Sequence, residues 1–432
     1  MTSLKKLWRD KRGNVLAIAA AALPLVIGSA GLASDTIQWA LWKRELQRAA
    51  DSAAIAGVYA KIQPQNVPGA VNTDLDKNNN FARPAVASTH GGIDLLAEPA
   101  ISYPPNGGGH LDAVQVSLSL RKPLGFSSLF MSTAPTITAV ATAATIESGV
   151  YCVVSLEETG ATGIKSTGTA DVNLGCGMIT NSTSLNAAVA MGSSDVHAAP
   201  IAAVGNVPES DNWNGAELLP FTAKQADPFA GVNVPTFSSC QGPSNSLSNN
   251  TNGLTIDRHT SDANRTICVS DMNFQKGTTI LGDNAVYLID SGSLNVGSQA
   301  TLQCSHCTIV LTNSAIGGTP QIGTVTIDAQ AHVDMHANTT GTFANILIYQ
   351  DRRASNSGGA NNKINGNSTS VMEGALYFPN QEMRLNGSGG ITFTCGQFVA
   401  RTVTFEGTGS ITNTCGSYGG HSIKGKHVRL IA

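Results

Sequence analysis

Four short stretches carry the residue types from which chemistry is built. The first, CSHC at Cys304 to Cys307, has the spacing of a redox dithiol or of half a metal site. A redox pair of this kind works at the start of a helix in a βαβ setting, whereas this one sits between strand-like runs, and no second CxxC completes a zinc site. The expectation is a disulfide-closed turn. The second stretch, HVDMH, sets His332, Asp334 and His336 on one face of a strand and Val333 and Met335 on the other. Three ligands on one face could grip a cation, but apolar residues inward and polar residues outward is also the ordinary pattern of a half-buried strand, and that reading is adopted. DSGS at Asp290 lacks the DxSxS spacing of a metal loop. The fourth feature is the acids Asp328, Asp334 and Asp351, the last followed by Arg352 and Arg353. Glycoside hydrolysis needs two carboxyl groups about 5 to 9.5 Å apart. No adjacent Asp pair and no basic groove is evident, and GGH at Gly419 lacks company. The expectation is a chain that is not an enzyme, with no catalytic residue, metal or cofactor.

The elements that would position these residues are β-strands. Charged residues make up 13% of the chain and aromatics 5%, while glycine reaches 45 residues, a profile suited to many short strands joined by Gly, Asn and Ser corners. From Val150 onward the short apolar runs align in three columns. One holds VYLID at Val286, TIVLT at Thr308, ILIYQ at Ile346, ALYFP at Ala375 and FVA at Phe398. The second holds SLNV at Ser293, TVTID at Thr324, KIN at Lys363, MRL at Met383 and TVTF at Thr402. The third holds ATLQ at Ala300, HVDMH at His332, TSVM at Thr369, ITFT at Ile391 and SIT at Ser410. Three strands per repeat of roughly 20 to 40 residues is the signature of a stacked solenoid, here a parallel β-helix. Residues 150–205 have the same texture and are expected to supply the first coils; 206–240, rich in proline, reads as an extended connection or wrapping arm; 241–432 is the β-helix domain.

All eight cysteines lie in this later part, at Cys152, Cys176, Cys240, Cys268, Cys304, Cys307, Cys395 and Cys415. An even count suggests disulfides in an oxidising compartment. Their order suggests local pairs, 152 with 176, 240 with 268 and 395 with 415, each closing a loop of one coil. The net charge of -3 provides no field for nucleic acid, which is excluded as a partner.

Ahead of the solenoid, residues 35–149 read as an amphipathic helix and a small α/β module. Strands are expected at Ala100 to Tyr103, Asp112 to Leu120 and Thr136 to Ile146, with a short helix begun by Pro123 between the last two. Pro64 to Pro68 and DLDKNNN mark a boundary or loop. In the helix Ala49, Ala53 and Gly57 form a small stripe that permits close packing, on its own domain or on another subunit.

The first residues are basic, with Lys5, Lys6, Arg9, Lys11 and Arg12 in a tail of residues 1–13. From Asn14 to Ser34 no charge occurs over 21 residues, close to the roughly 20 that cross a hydrocarbon core as a helix. Pro24 would kink such a helix without forbidding it, and Trp39 and Trp42 suit a membrane interface. The basic front predicts that this end stays in the cytoplasm and the bulk is exported. A cleaved signal ending near Ser34 competes with this reading, but the helical pattern continues to Val58, which favours a retained anchor.

An RG before the apolar run, then GLASD, an aromatic-containing amphipathic stretch and LQRAADSAAIAGV resemble the N-terminal segment of TadE/TadG-like proteins of the Flp (Tad) pilus-assembly system, from about Arg12 to Val58. The exported repetitive β domain with ALYFPN-type and YQDR-type segments is similar to those that follow the anchor in TadG-like chains. The resemblance implies a single-pass protein of the cytoplasmic membrane, a C-terminal domain outside it, and other Tad/Flp assembly proteins as partners. Prepilin-type processing after Gly13 would want glutamate at the fifth mature position, and Ile18 stands there, which implies an accessory rather than the fibre subunit. The function expected is a non-enzymatic assembly component whose β-helix offers an interaction or adhesion surface. The rival is a β-helix that binds or degrades surface carbohydrate on the same anchor.

Overall fold

The computed structural model describes residues 11–77, 80–86, 92–356, 361–387, 389–415 and 422–431. Most of the basic tail, including Lys5, Lys6 and Arg9, and the GGH at Gly419 lie outside the described residues. The chain forms two compact units, one of residues 1–146 with 428–432 and one of residues 147–427.

In the first unit a helix of 52 residues, α1 (Lys11–Ile62), continues through Pro24. Its C-terminal half buries Leu46, Ala49, Ala50, Ala53, Ala54 and Val58. The face it meets is an antiparallel sheet of β1 (Ala100–Ser102), β2 (His110–Arg121) and the first part of β3 (Thr136–Ser155). Strict alternation sends Val114, Val116, Leu118 and Leu120 of β2, and Ile137, Ala139, Ala141 and Ala143 of β3, into one core with the helix. Small residues set the helix close to the sheet: a Cβ on Gly57 would lie 2.8 Å from Val114 and 3.2 Å from Val71. Ala49, Ala53 and Gly57 therefore face the module's own core.

The Pro64 to Pro68 stretch is not simply a loop. It leads into a helix, α2 (Val67–Asp76), capped by Asn66, whose side chain accepts from the Gly69 amide at 3.2 Å, with Pro at the helix start. Val67, Val71 and Leu75, spaced by four, are its buried face. The cap and the spacing were the available signals, and the flanking prolines obscured them.

The second unit is a right-sized match to the three columns. In the first sheet, parallel pairing runs through Thr266–Val269, Ala285–Asp290, 307–312, Ile346–Gln350, 375–378 and 398–400. The second sheet stacks 247–249, 272–274, 294–296, Val325–Ile327, Asn361–Asn365, 382–386 and 402–406. The third stacks 255–257, 278–280, 301–304, His332–Ala337, 371–373, 391–394 and Ser410–Thr414. This is a parallel β-helix, in which every coil satisfies its backbone on the next and apolar side chains fill the bore.

Residues 150–205 do form coils, but not the first ones. They stack beyond the last: 153–155 on 398–400, Ile164–Ser166 on 403–405 and Asp171–Asn173 on 410–412. Gly177–Thr180, Ala188–Ala190 and Asp195–His197 add the following coil, and Ile201–Ala203 and Leu218–Leu219 carry the first sheet further. The expected order fails because identical coil edges accept any neighbour of matching shape, so chain order does not dictate stacking order.

The connection 206–240 then returns along the outside of the first sheet. Thr222 donates to the Ala203 carbonyl at 2.8 Å, Gln225 exchanges hydrogen bonds with Asn181, and Asp227 accepts from Tyr377 at 2.7 Å. Further along, the Val232 carbonyl accepts from Tyr349 at 2.9 Å, and the Cys240 amide donates to Asp290 at 3.1 Å. Phe229, Val232, Val234 and Phe237 cover Val154, Leu288, Val310, Tyr349, Tyr377 and Val399, which makes this sheet apolar on both faces. That is why VYLID, TIVLT and ALYFP run almost without polar residues.

The cysteines form four disulfides, 152–176, 240–268, 304–307 and 395–415. The Cys240–Cys268 bridge ties the end of the arm to the coil where the main stack starts. Replacing both by serine is expected to lower stability by about 3 kcal/mol, since the bridge closes a loop of 28 positions. Chemical denaturation of the double variant measures this, and an unchanged midpoint would contradict it.

Candidate functional site

Two regions bring candidate residues together. The first is the N-terminal half of α1. Among the described residues it is the one helix long and apolar enough to cross a membrane. Between Ile18 and Leu41 its large apolar side chains face outward: Ile18, Leu23, Leu25, Val26, Ile27 and Leu32 are all exposed. An isolated apolar patch on this scale demands a partner of some kind. Asn14, Pro24 and Ser34 all lie within the helix. Trp39 is exposed, and Trp42 is half-buried, with the Lys122 ammonium 5.0 Å from its ring centre.

The acid that ends the charge-free run, Asp35, is only 4% exposed. Its carboxylate accepts from the Phe126 amide at 3.0 Å, from the Ser127 amide, and from the Ser127 hydroxyl at 2.6 Å. These donors open a single 3-10 turn, Ser127–Leu129, where the sequence suggests a short helix after Pro123. A buried carboxylate beside apolar surface is tolerable only with such a complete set of donors. About two and three turns further on, Lys43 donates to the Thr138 carbonyl and Gln47 to the Val140 carbonyl at 2.9 Å, so α1 is pinned along β3.

The second region is the solenoid surface. Val333 and Met335 are buried in the bore, while His332, Asp334 and His336 point outward. His336 lies between two carboxylates, Glu373 at 2.7 Å and Asp334 at 3.2 Å, and His306 lies 3.0 Å from Asp283. His332 bonds instead to the Thr369 hydroxyl at 3.0 Å, so the three outward residues do not converge on one point. Cys304 and Cys307 are joined to each other. Cys240, Cys268 and Asp290 cluster closely enough for a metal, but the two sulfurs are bonded to one another, which removes two of three ligands.

Of the acids, Asp328 is exposed and Asp351 is buried. Burial would push the Asp351 carboxyl up, but Arg353 at 2.7 Å, the Arg353 amide and Thr312 outweigh it and hold it below the usual carboxylate range. Asp290 is balanced the same way: burial opposes ionisation, and donors from Ser314, the Cys240 amide and Gln241 prevail. Both carboxylates are thereby committed to structure.

The arm makes its tightest contacts through a group that sequence reasoning did not single out beyond its charge. Arg352 donates to the Val232 carbonyl at 2.8 Å, to the Phe229 carbonyl and to Tyr349 at 3.1 Å, and it pairs with Asp227 at 3.4 Å. Its guanidinium lies 5.4 Å from the Tyr377 ring, which stacks on Tyr349 at 4.9 Å. Burial pushes the Tyr377 phenol up, and the neighbouring Asp227 carboxylate adds to it. Beside this group Asn233 to Phe237, Asn313 to Gly317, Tyr349 and Asp351 to Arg353 frame an open groove of about 460 Å³.

Comparison with known families supports the first region. The family model described as Flp pilus-assembly TadE/G-like matches residues 13–60, which covers the apolar half of α1 and its buried continuation. Neither the curated proteins nor the solved structures yield a match to the chain.

Proposed function

We propose that this chain is a membrane-anchored, non-enzymatic component of Flp/Tad pilus assembly. In this reading residues 14–34 span the cytoplasmic membrane with the basic end in the cytoplasm, and the β-helix outside it offers a surface to other assembly proteins. The observation that carries it is the coincidence of the family match at 13–60 with a helix whose apolar side chains are exposed. Four disulfides suit an oxidising compartment on the far side. The buried carboxylates engaged in structural hydrogen bonds favour a binding over a hydrolytic role.

Deletion in a piliated host tests this. Loss of filaments is expected, restored by the full chain and not by one lacking residues 14–34. Normal filaments without the chain would refute the assembly role. N-terminal analysis separates the anchor question: a start at Ser34 with release into the medium would refute the anchor.

A further inference from the structure

Between β2 and β3 the chain carries a loop with three consecutive large apolar side chains that stand at least half exposed. Leu129 is 74% exposed, Phe130 77% and Met131 50%. These are consecutive, large and at a loop tip, where polar residues are the rule. The loop does not project at random. The Phe126 ring lies so close to α1 that a Cβ on Gly31 would be 2.4 Å from it, and a Cβ on Gly28 would be 4.0 Å away. Phe130 packs on Phe126 with ring centres 5.3 Å apart. At 1.5 Å per residue, Gly31 and Gly28 sit about 5 and 9 Å inside the charge-free run that ends at Ser34.

We propose that this loop dips into the lipid beside the anchor helix, so that the module holds the membrane at two points. The inference rests on the anchor reading above. Its occupant is the bilayer because the loop's apolar tip is continuous with the exposed apolar surface of α1 at the same height. The residues on the far side of Asp35 fit the headgroup layer: Trp39, Trp42 under Lys122, and Lys43. Asp35 is then a positioning residue. By engaging the Phe126 and Ser127 amides it holds the loop against the helix and removes those donors from the apolar environment.

The test uses single labels on the full chain reconstituted in vesicles of phosphatidylethanolamine and phosphatidylglycerol. The eight native cysteines are paired, so an introduced thiol is the reactive one. A fluorophore is placed at L129C, at F130C, at L23C on the anchor, and at Q63C beyond the far end of α1. With nitroxide lipids, emission at 129 and 130 is expected to fall about twofold or more with the probe near the headgroup, while Gln63 stays unchanged. Position 23 is expected to respond to the deep probe. If 23 is quenched and both 129 and 130 behave like 63, the loop stands clear of lipid and the proposal is overturned while the anchor survives. If 129 and 130 are quenched and 23 is not, the anchor reading falls and the two-point attachment falls with it. If none is quenched, both fall.

Discussion

Replacing Arg352 by methionine is expected to release the arm while leaving the coils folded. The guanidinium donates to the Phe229 and Val232 carbonyls and to Tyr349, pairs with Asp227, and lies over the Tyr377 ring. Methionine keeps part of the packing and removes the guanidinium donors, so two arm carbonyls and Asp227 each lose one partner, the Val232 carbonyl keeping Tyr349 and Asp227 keeping Tyr377. Losses of this kind sum to about 3 kcal/mol, or roughly 100-fold in the opening equilibrium of the arm. Hydrogen exchange at residues 222–240 reads this directly, as faster exchange there with the bore unchanged. Lysine should recover only part, since one ammonium cannot fork between the two carbonyls. Unaltered protection in the methionine variant would mean that the arm is held by its apolar side chains alone.

The second large effect is an acid-sensitive latch at the arm's lower end. Asp290 gathers Ser239, the Cys240 amide, Gln241 and Ser314, and its strand neighbour Thr312 donates to Asp351. Both carboxyls ionise below their ordinary value in the folded state. Their contribution is therefore complete above the unfolded carboxylate value of about 4 and is lost as pH falls through the lower folded values. Asp290→Ala should cost about 3 kcal/mol at neutral pH, because several buried donors lose their acceptor together. The variant should also lose part of the wild-type slope of stability against pH below 4. Denaturation midpoints measured across that range would expose the error if the wild type and the variant ran parallel.

How much of this is legible in the sequence follows from how local each feature is. The three columns could be read because alternation along a strand and recurrence between coils are both written in residue type. The near-continuous apolar runs of the first column also carried the arm's position: a strand such as ILIYQ at 346–350 is buried at every residue, which one covered face cannot require. The stacking of 153–155 on 398–400 had no such signal, because each coil edge looks like every other. The grip of Asp35 on Phe126, 91 positions away, depends on backbone amides that any residue possesses. Its one trace was an acid at the end of a charge-free run. Arg352 was visible as charge and not as the arm's clasp, since all its partners on the arm are 120 or more positions away and two of them are backbone carbonyls.

The placement of the early coils beyond the late ones has a consequence for synthesis. Glu157 and Arg401, 2.7 Å apart, are separated by 244 positions in the chain. At ribosomal rates of 5 to 20 residues per second, the first of these waits roughly 10 to 50 s for the second. During that interval the strands at 153–203 can pair only with one another, and the edge that later meets 398–412 stays open, the kind of edge that seeds aggregation. The junction between the early coils and the main stack therefore cannot close as the chain emerges. The segment from Val150 to Cys240 can join the main stack only once residues 398–412 have been made.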